Sequence, residues 1–285
     1  MTAGVDVRTV HDVAGLAAVA DHFSDVWQTP RTAPPYPAEV LHSLVHAGGA
    51  VHAAYDGQRL AGASVAVLGP GHSTYSLVAA ADRGLGHAVK QAQRAWALGR
   101  GARSMRWTFD PLVGRNARFN LAKLGAVGTE YLVDFYGSMA DGVNDGDESD
   151  RLTVTWDLTA PAASQGTAPA TASGTAPATA SGTAPSASCG TAPSVSYGTQ
   201  DRELAPATHT APDGGFLARR DLAERQVFCR VPDDIVELRA ADPGLALRWR
   251  HAVREVFSEA FAEGFRATGM SRDGWYTLTR TETSA

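Results

Sequence analysis

Apolar positions along the first 160 residues switch repeatedly between a period of two and a period near 3.6, the mark of strands alternating with helices. "VDVRTV" (Val5 to Val10) reads as a strand, and "HDVAGLAAVADHFSDVWQ" as an amphipathic helix with Val13, Leu16, Ala17, Ala20, Phe23 and Val26 on one stripe. A second helix is predicted from Pro37 to Ala47. "AVHAAYDGQRLAGASVAVLG" is two apolar runs joined at Asp56-Gly57, a hairpin signal. "STYSLVAAA" (Ser73 to Ala81) is another strand, with a helix after it to about Gly99. "ARSMRWTF" (Ala102 to Phe109) reads as a strand, "RNARFNLAKLG" as a short helix stopped by Gly125, and "EYLVDFYG" and "RLTVTWDL" as two further strands. Past residue 223 come a strand "RQVFCRV", a turn at Pro232, and a long helix from Asp242 to Glu263. That helix carries Leu245, Trp249, Val253, Phe257, Ala260 and Phe261 on one side, and a strand pair around "GFRATGM" and "WYTLTR" closes the chain.

The pattern breaks in between. An octapeptide recurs four times: "GTAPATAS" from Gly166 and Gly174, "GTAPSASC" from Gly182 and "GTAPSVSY" from Gly190. Units of Gly, Thr, Ala, Pro and Ser bury too little apolar surface to offset the entropy of ordering the chain. The expected organisation is a domain over 1–159, a low-complexity insert over 160–223, and a strand-helix-strand extension over 224–285 that packs on the first domain.

With 285 residues, 44% of them hydrophobic, the chain can bury a substantial core. A net charge of −5 without a Lys/Arg block argues against a nucleic-acid stripe or an anionic-lipid patch. Asp6 and Asp12 interrupt the start where a signal peptide needs a basic and then an apolar run, and "LAGASVAVLG" falls well short of a membrane span. Cys189 and Cys229 allow at most one bridge, and a reduced, cytoplasmic setting is expected. No metal is expected. His42 and His46 stand one helical turn apart without a third ligand, and the acidic loop Asp141 to Asp150 puts Val143 and Leu152 where calcium needs oxygen.

The stretch "AADRGLGHAVKQAQRAW" places Arg83, Gly84 and Gly86 ahead of a helix, where bare backbone exposes unpaired N–H groups and the positive end of the dipole to an anion. It is not a Walker loop, because His87-Ala88 follows Gly86 where Lys-Ser/Thr is required. The dinucleotide fingerprint would need Gly or Ala at Val89 and an acid near Ser104. The loop does match Arg/Gln-x-x-Gly-x-Gly/Ala at Arg83, Gly86 and Ala88, the pyrophosphate loop of the GNAT superfamily of N-acetyltransferases. The chain resembles that superfamily in element order from Val5 to Leu158. "WTFDPLVGRNARFNLAKLGA", "YLVDFYGSMADGVNDG" and "SDRLTVTW" look like one branch of acyltransferases within it, as does "VPDDIVELRAADPGLALRWRHAVREVF" beyond the insert.

The resemblance implies an α/β fold with a mixed sheet whose two central strands splay, Ser73 to Ala81 and Ala102 to Phe109. An acyl-CoA such as acetyl-CoA would lie in that gap, its pantetheine against Leu77, Val78 and Ala79 and its pyrophosphate on Gly84, Leu85, Gly86, His87 and Ala88, with Arg83 beside it. Asn116 would touch the pantetheine and Asn120 the substrate, Asn116 being otherwise a helix N-cap. Backbone N–H near Val78 would stabilise the oxyanion. The superfamily's acid tyrosine falls at Leu121 here, which leaves that role open; Tyr136 is the substitute, and Asp110 the candidate base, ahead of Asp134. Arg151 would clamp a substrate carboxylate. The expected reaction is acyl transfer from CoA, acetyl or larger such as succinyl, to a small amine, an amino acid among the candidates. A non-catalytic acyl-CoA binder and a thioesterase are the alternatives.

Overall fold

Among the residues the structure describes, the alternating and 3.6-period segments resolve into 12 strands of one sheet and the helices that cover it. A computed structural model describes residues 5–137, 139, 147–160 and 209–280; the octapeptides from Gly166 and the 141–146 part of the acidic loop lie outside the described residues. The first unit runs β1 (Asp6–Val10), α1 (Val13–Trp27), α2 (Ala38–His46), β2 (Ala50–Asp56), β3 (Arg59–Gly69), β4 (Ser73–Ala81), α3 (Gly86–Gly99) and β5 (Ser104–Phe109). Next come α4 (Gly114–Ala117), leading into a π-helical turn (Arg118–Lys123), then β6 (Val127–Leu132) and β7 (Arg151–Asp157). The rest is β8 (His209–Thr210), β9 (Phe216–Arg220), β10 (Gln226–Arg230), α5 (Ile235–Ala241), α6 (Pro243–Ala262), β11 (Phe265–Met270) and β12 (Trp275–Arg280).

The strand order is β1-β2-β3-β4-β5-β7-β6-β11-β12-β10-β9-β8. Every neighbouring pair is antiparallel except β4 with β5. The two halves meet at one rung, Gly128 of β6 opposite Ala267 of β11. Leu16, Val19, Ala20 and Phe23 of α1 pack on β2 and β3 in a smaller core. A larger core joins Met105, Trp107 and Leu152 of the first unit to Trp249, Phe257 and Tyr276 of the last, so residues from 224 onward share sheet and core with the first unit.

Four expectations are corrected. On α1, Val13 is 69% exposed and Val26 39%, and Ala17 also faces solvent, because the buried stripe runs through Val19 and Ser24 instead. The strand "EYLVDFYG" stops at Leu132; a turn follows in which Asp134 adopts φ 45°. The stretch assigned to the insert contains β8 and β9, which add to the sheet edge beside β10. The turn at Pro232 leads into α5, capped by Asp234 through the amides of Val236 and Glu237. No helix among the described residues is long and apolar enough to cross a membrane.

Candidate functional site

The parallel pair sets the geometry. β4 and β5 pair only at Ser73/Ser104, Thr74/Met105 and Tyr75/Arg106. Past that rung β4 keeps β3 as far as Ala81 and β5 keeps β7 as far as Phe109, so the facing edges separate while both halves of the sheet continue. Val65 pairs with Val78 and Ala66 with Ser76, which leaves Leu77 as an extra residue, a bulge that bends β4 where the gap opens. Leu77, Val78 and Ala79 therefore line a strand edge without a strand partner, and backbone groups there need another one.

At the open end the chain turns into α3. Gly84 sits at φ +96°, a conformation that favours glycine, and the Leu85 amide closes the turn on the Asp82 carbonyl at 3.0 Å. Aspartates cap α1, α5 and α6; α3 has neither a side-chain cap nor an acidic residue in its first turn. Among the described residues the amides of Gly86, His87 and Ala88 have no acceptor. A Cβ at Gly86 would meet only the Phe119 ring, at 3.7 Å, which is ordinary contact, so internal packing does not demand glycine there. Arg83 is exposed and forms no ion pair among the described residues. Burial and nearby Lys123 draw the His87 pKa down. Asn116 is exposed within α4, whose N-cap is Val113, so the capping alternative falls; Asn120 is buried on the π-helical turn.

Beneath the first unpaired rung lies a residue that sequence reasoning missed. Lys90, on the buried stripe of α3, sends Nζ to 2.9 Å from Ser76 Oγ on β4 and 3.9 Å from the ring centre of Trp107 on β5. Ser76 Oγ in turn donates to Gln93 Oε1 at 3.1 Å. Among the described residues no carboxylate pairs with Lys90, and burial pulls its pKa down to about 7. The signal was present: Lys90 and Lys123 are the only lysines in the sequence, and Lys90 adjoins the apolar Val89.

The opposite face of the gap carries tyrosines. Tyr75 stands on this face, where burial raises its pKa and neighbouring Thr108 works against that rise, and the Tyr36 hydroxyl reaches the Leu77 carbonyl at 3.5 Å. Burial, then the proximity of Tyr136 and Tyr75, pushes the Tyr36 pKa up to about 12. Thr108 pairs with Thr153, which puts Arg151, two residues along β7, on this same face. Arg151 is 8% exposed; its guanidinium lies 5.2 Å from the Tyr136 ring centre and 3.1 Å from Met139 Sδ. Among the described residues no carboxylate pairs with it directly, and burial draws its pKa down. Tyr136 is thus not on a strand but in the exposed turn after β6, on the face away from Lys90.

Asp110 is also corrected. Its Oδ1 and Oδ2 accept from Arg250 at 2.7 and 3.0 Å, Oδ2 accepts from Arg239 at 3.2 Å, and Oδ1 from the Leu112 amide at 2.9 Å. Burial works to raise its pKa, but Arg250 and the Leu112 amide hold it below the usual carboxylate range. A carboxylate so committed has no lone pair aimed at a substrate proton. It joins a buried network in which Asp147 bridges Arg239 and Arg250, while Asp150 and Glu148 bind Arg254. Asp134 accepts from Ser149 and serves the turn.

A separate cavity of about 110 Å³ lies between α4 and α5, lined by Val113, Gly114, Arg115, Asp233, Asp234 and Ile235. It is too small for a nucleotide-bearing ligand. No family model and no curated protein matches the sequence. Similar solved structures include an N-acetyltransferase from Staphylococcus aureus Mu50, at 12% identity, covering 55% of this chain and 99% of that one with a TM-score of 0.45. Another is yncA of Salmonella typhimurium, titled an acetyltransferase and solved with its cofactor acetyl-CoA, at 14% identity over 56% of this chain and 98% of that one, TM-score 0.43. A GNAT-family acetyltransferase from Streptococcus pneumoniae stands at 13% identity over 53% and 98%, TM-score 0.43.

Proposed function

We propose that the chain is an acyl-CoA-dependent N-acyltransferase of the GNAT type, acting on a small amine that carries a carboxylate. The observation that carries this reading is the parallel pair that opens after three rungs, with an uncapped helix start at its mouth. The amides of Gly86 to Ala88, with Arg83 beside them, suit a pyrophosphate. The unpaired edge at Leu77 to Ala79 suits the amide groups of pantetheine, which leaves its thioester beside the Leu77 bulge. On the other face Tyr36, Tyr75 and Tyr136 offer ring surfaces for an ammonium, and Arg151 a buried cation for a carboxylate. Acetyl and larger acyl groups such as succinyl both suit this reading, as do Asn116 as a contact for the pantetheine and Asn120 as one for the substrate.

Calorimetry with CoA, acetyl-CoA and succinyl-CoA, followed by free-thiol release with and without a panel of amines, tests it. Amine-dependent release, strongest for amines bearing a carboxylate, is the expected result. Release without amine would make the chain a thioesterase, binding without release a carrier of acyl-CoA, and no affinity would remove the whole assignment.

A further inference from the structure

Leu121 stands where the resemblance places an acid tyrosine, and Tyr136 lies across the sheet. We propose that Lys90 is the proton donor to the departing sulfur, an inference that rests on the acyl-CoA reading above. Its ammonium touches Ser76 from one splayed strand and Trp107 from the other, beneath the first missing rung. That vertex is where a chain threaded between the strands reaches deepest. Among the described residues the groups facing Nζ are Ser76 on β4, Trp107 on β5 and, through Ser76, Gln93 on its own helix, and none of these is charged. A buried cation without a counter-ion is costly, and it persists where an anion visits or where the proton is meant to move. Trp107 offsets part of that cost through its π face, and its indole does not compete for the proton.

The step balances. The amine nitrogen bonds to the acyl carbon as the carbon–sulfur bond breaks, and Lys90 passes one proton to the sulfur. The nitrogen sheds one proton to water, and neutral Lys90 regains a proton from solvent before the next cycle. An amine titrating near neutrality suits this cycle, since it is both charged often enough to give a proton and neutral often enough to take one back.

Free CoA is the probe, because its thiol is the group the ammonium would face. The full chain is loaded with CoA, binding is checked by calorimetry, and the ultraviolet absorbance of the thiolate is followed as pH rises. Lys90 and the thiol titrate as a pair. Part of the thiolate absorbance is therefore expected about 1 to 3 pH units below the ionisation of CoA in solution. In Lys90→Met, which still binds CoA, that early portion disappears. Equal titrations in the two proteins overturn the role of Lys90 and leave the acyl-CoA reading intact; absence of CoA binding by the wild type overturns both. Should Lys90→Met not fold, the wild type decides alone, since a bound thiol that ionises where free CoA does sinks the proposal.

Discussion

Arg250 and Asp110, 140 residues apart in sequence, form a two-pronged ion pair at 2.7 and 3.0 Å in which the arginine is 1% exposed. The pair ties the end of β5, where the splayed strand stops, to α6 of the last unit. Removing one partner of a buried pair leaves the other uncompensated, at a cost of about 3–5 kcal/mol. Arg250→Met is expected to lower the melting temperature by roughly 10 °C. An unchanged melting temperature would show that the network contributes little to holding the two units together.

The same pair sets an acid limit. Asp110 has a folded-state pKa below its unfolded one, so its contribution is complete above about pH 4 and is lost as pH falls through the folded value. Denaturant titrations at about pH 5 and about pH 3 are expected to show a loss of stability that is smaller in Asp110→Asn. Equal losses in both proteins would mean that other carboxylates govern acid unfolding.

The sheet seam makes a third case. A Cβ on Gly128 would lie 2.7 Å from Ala267 Cβ and 3.2 Å from Leu152 Cδ2. Gly128→Ala is expected to cost about 1–3 kcal/mol, as overpacking does. Ala267→Gly in the same chain should recover part of it, and denaturant midpoints of the single and double variants measure both effects. No recovery would place the strain elsewhere.

What the sequence made legible was whatever depends on neighbours along the chain. The hairpin at Asp56-Gly57, the run of β4 from Ser73 to Ala81 and the glycine-led start of α3 all follow from period and turn chemistry. The residues that went unseen are those whose role depends on a distant partner. Arg250 interrupts an apolar stripe between Trp249 and Val253, and only Asp110 and Asp147 explain it. Asp110 reads as a free acid in the sequence because its arginines come from α5 and α6. Strands β8 and β9 are not legible in the sequence because their short, mixed segments gain order only by pairing beside β10. The segment "EYLVDFYG" keeps a strand-like composition through Tyr136, while Asp134 and Ser149 turn the chain after Leu132.

Gly86 separates ligand demand from fold demand. Because a Cβ there meets only the Phe119 ring, at 3.7 Å, Gly86→Leu is expected to leave stability within about 1 kcal/mol of wild type. Affinity for CoA should fall about 10- to 100-fold, the loss of one charge-assisted hydrogen bond to an amide at the helix start. Calorimetry and a thermal melt on the same variant give both values. Undiminished affinity would move the phosphates away from α3.

Arg151 offers the reverse test, a residue whose removal should help the fold and harm the chemistry. It is buried without a direct carboxylate partner among the described residues, so Arg151→Met exchanges a desolvated cation for an apolar side chain of similar length. The melting temperature should hold or rise. If Arg151 binds the acceptor's carboxylate, KM for a carboxylate-bearing amine from the panel should rise about 10- to 100-fold, the worth of a hydrogen bond to a charged group. For the matching amine without a carboxylate KM should stay level, so that the preference between the two collapses. A variant that melts early, or that loses turnover equally with both amines, would make Arg151 a partner of Asp110 within the buried network rather than a contact for substrate.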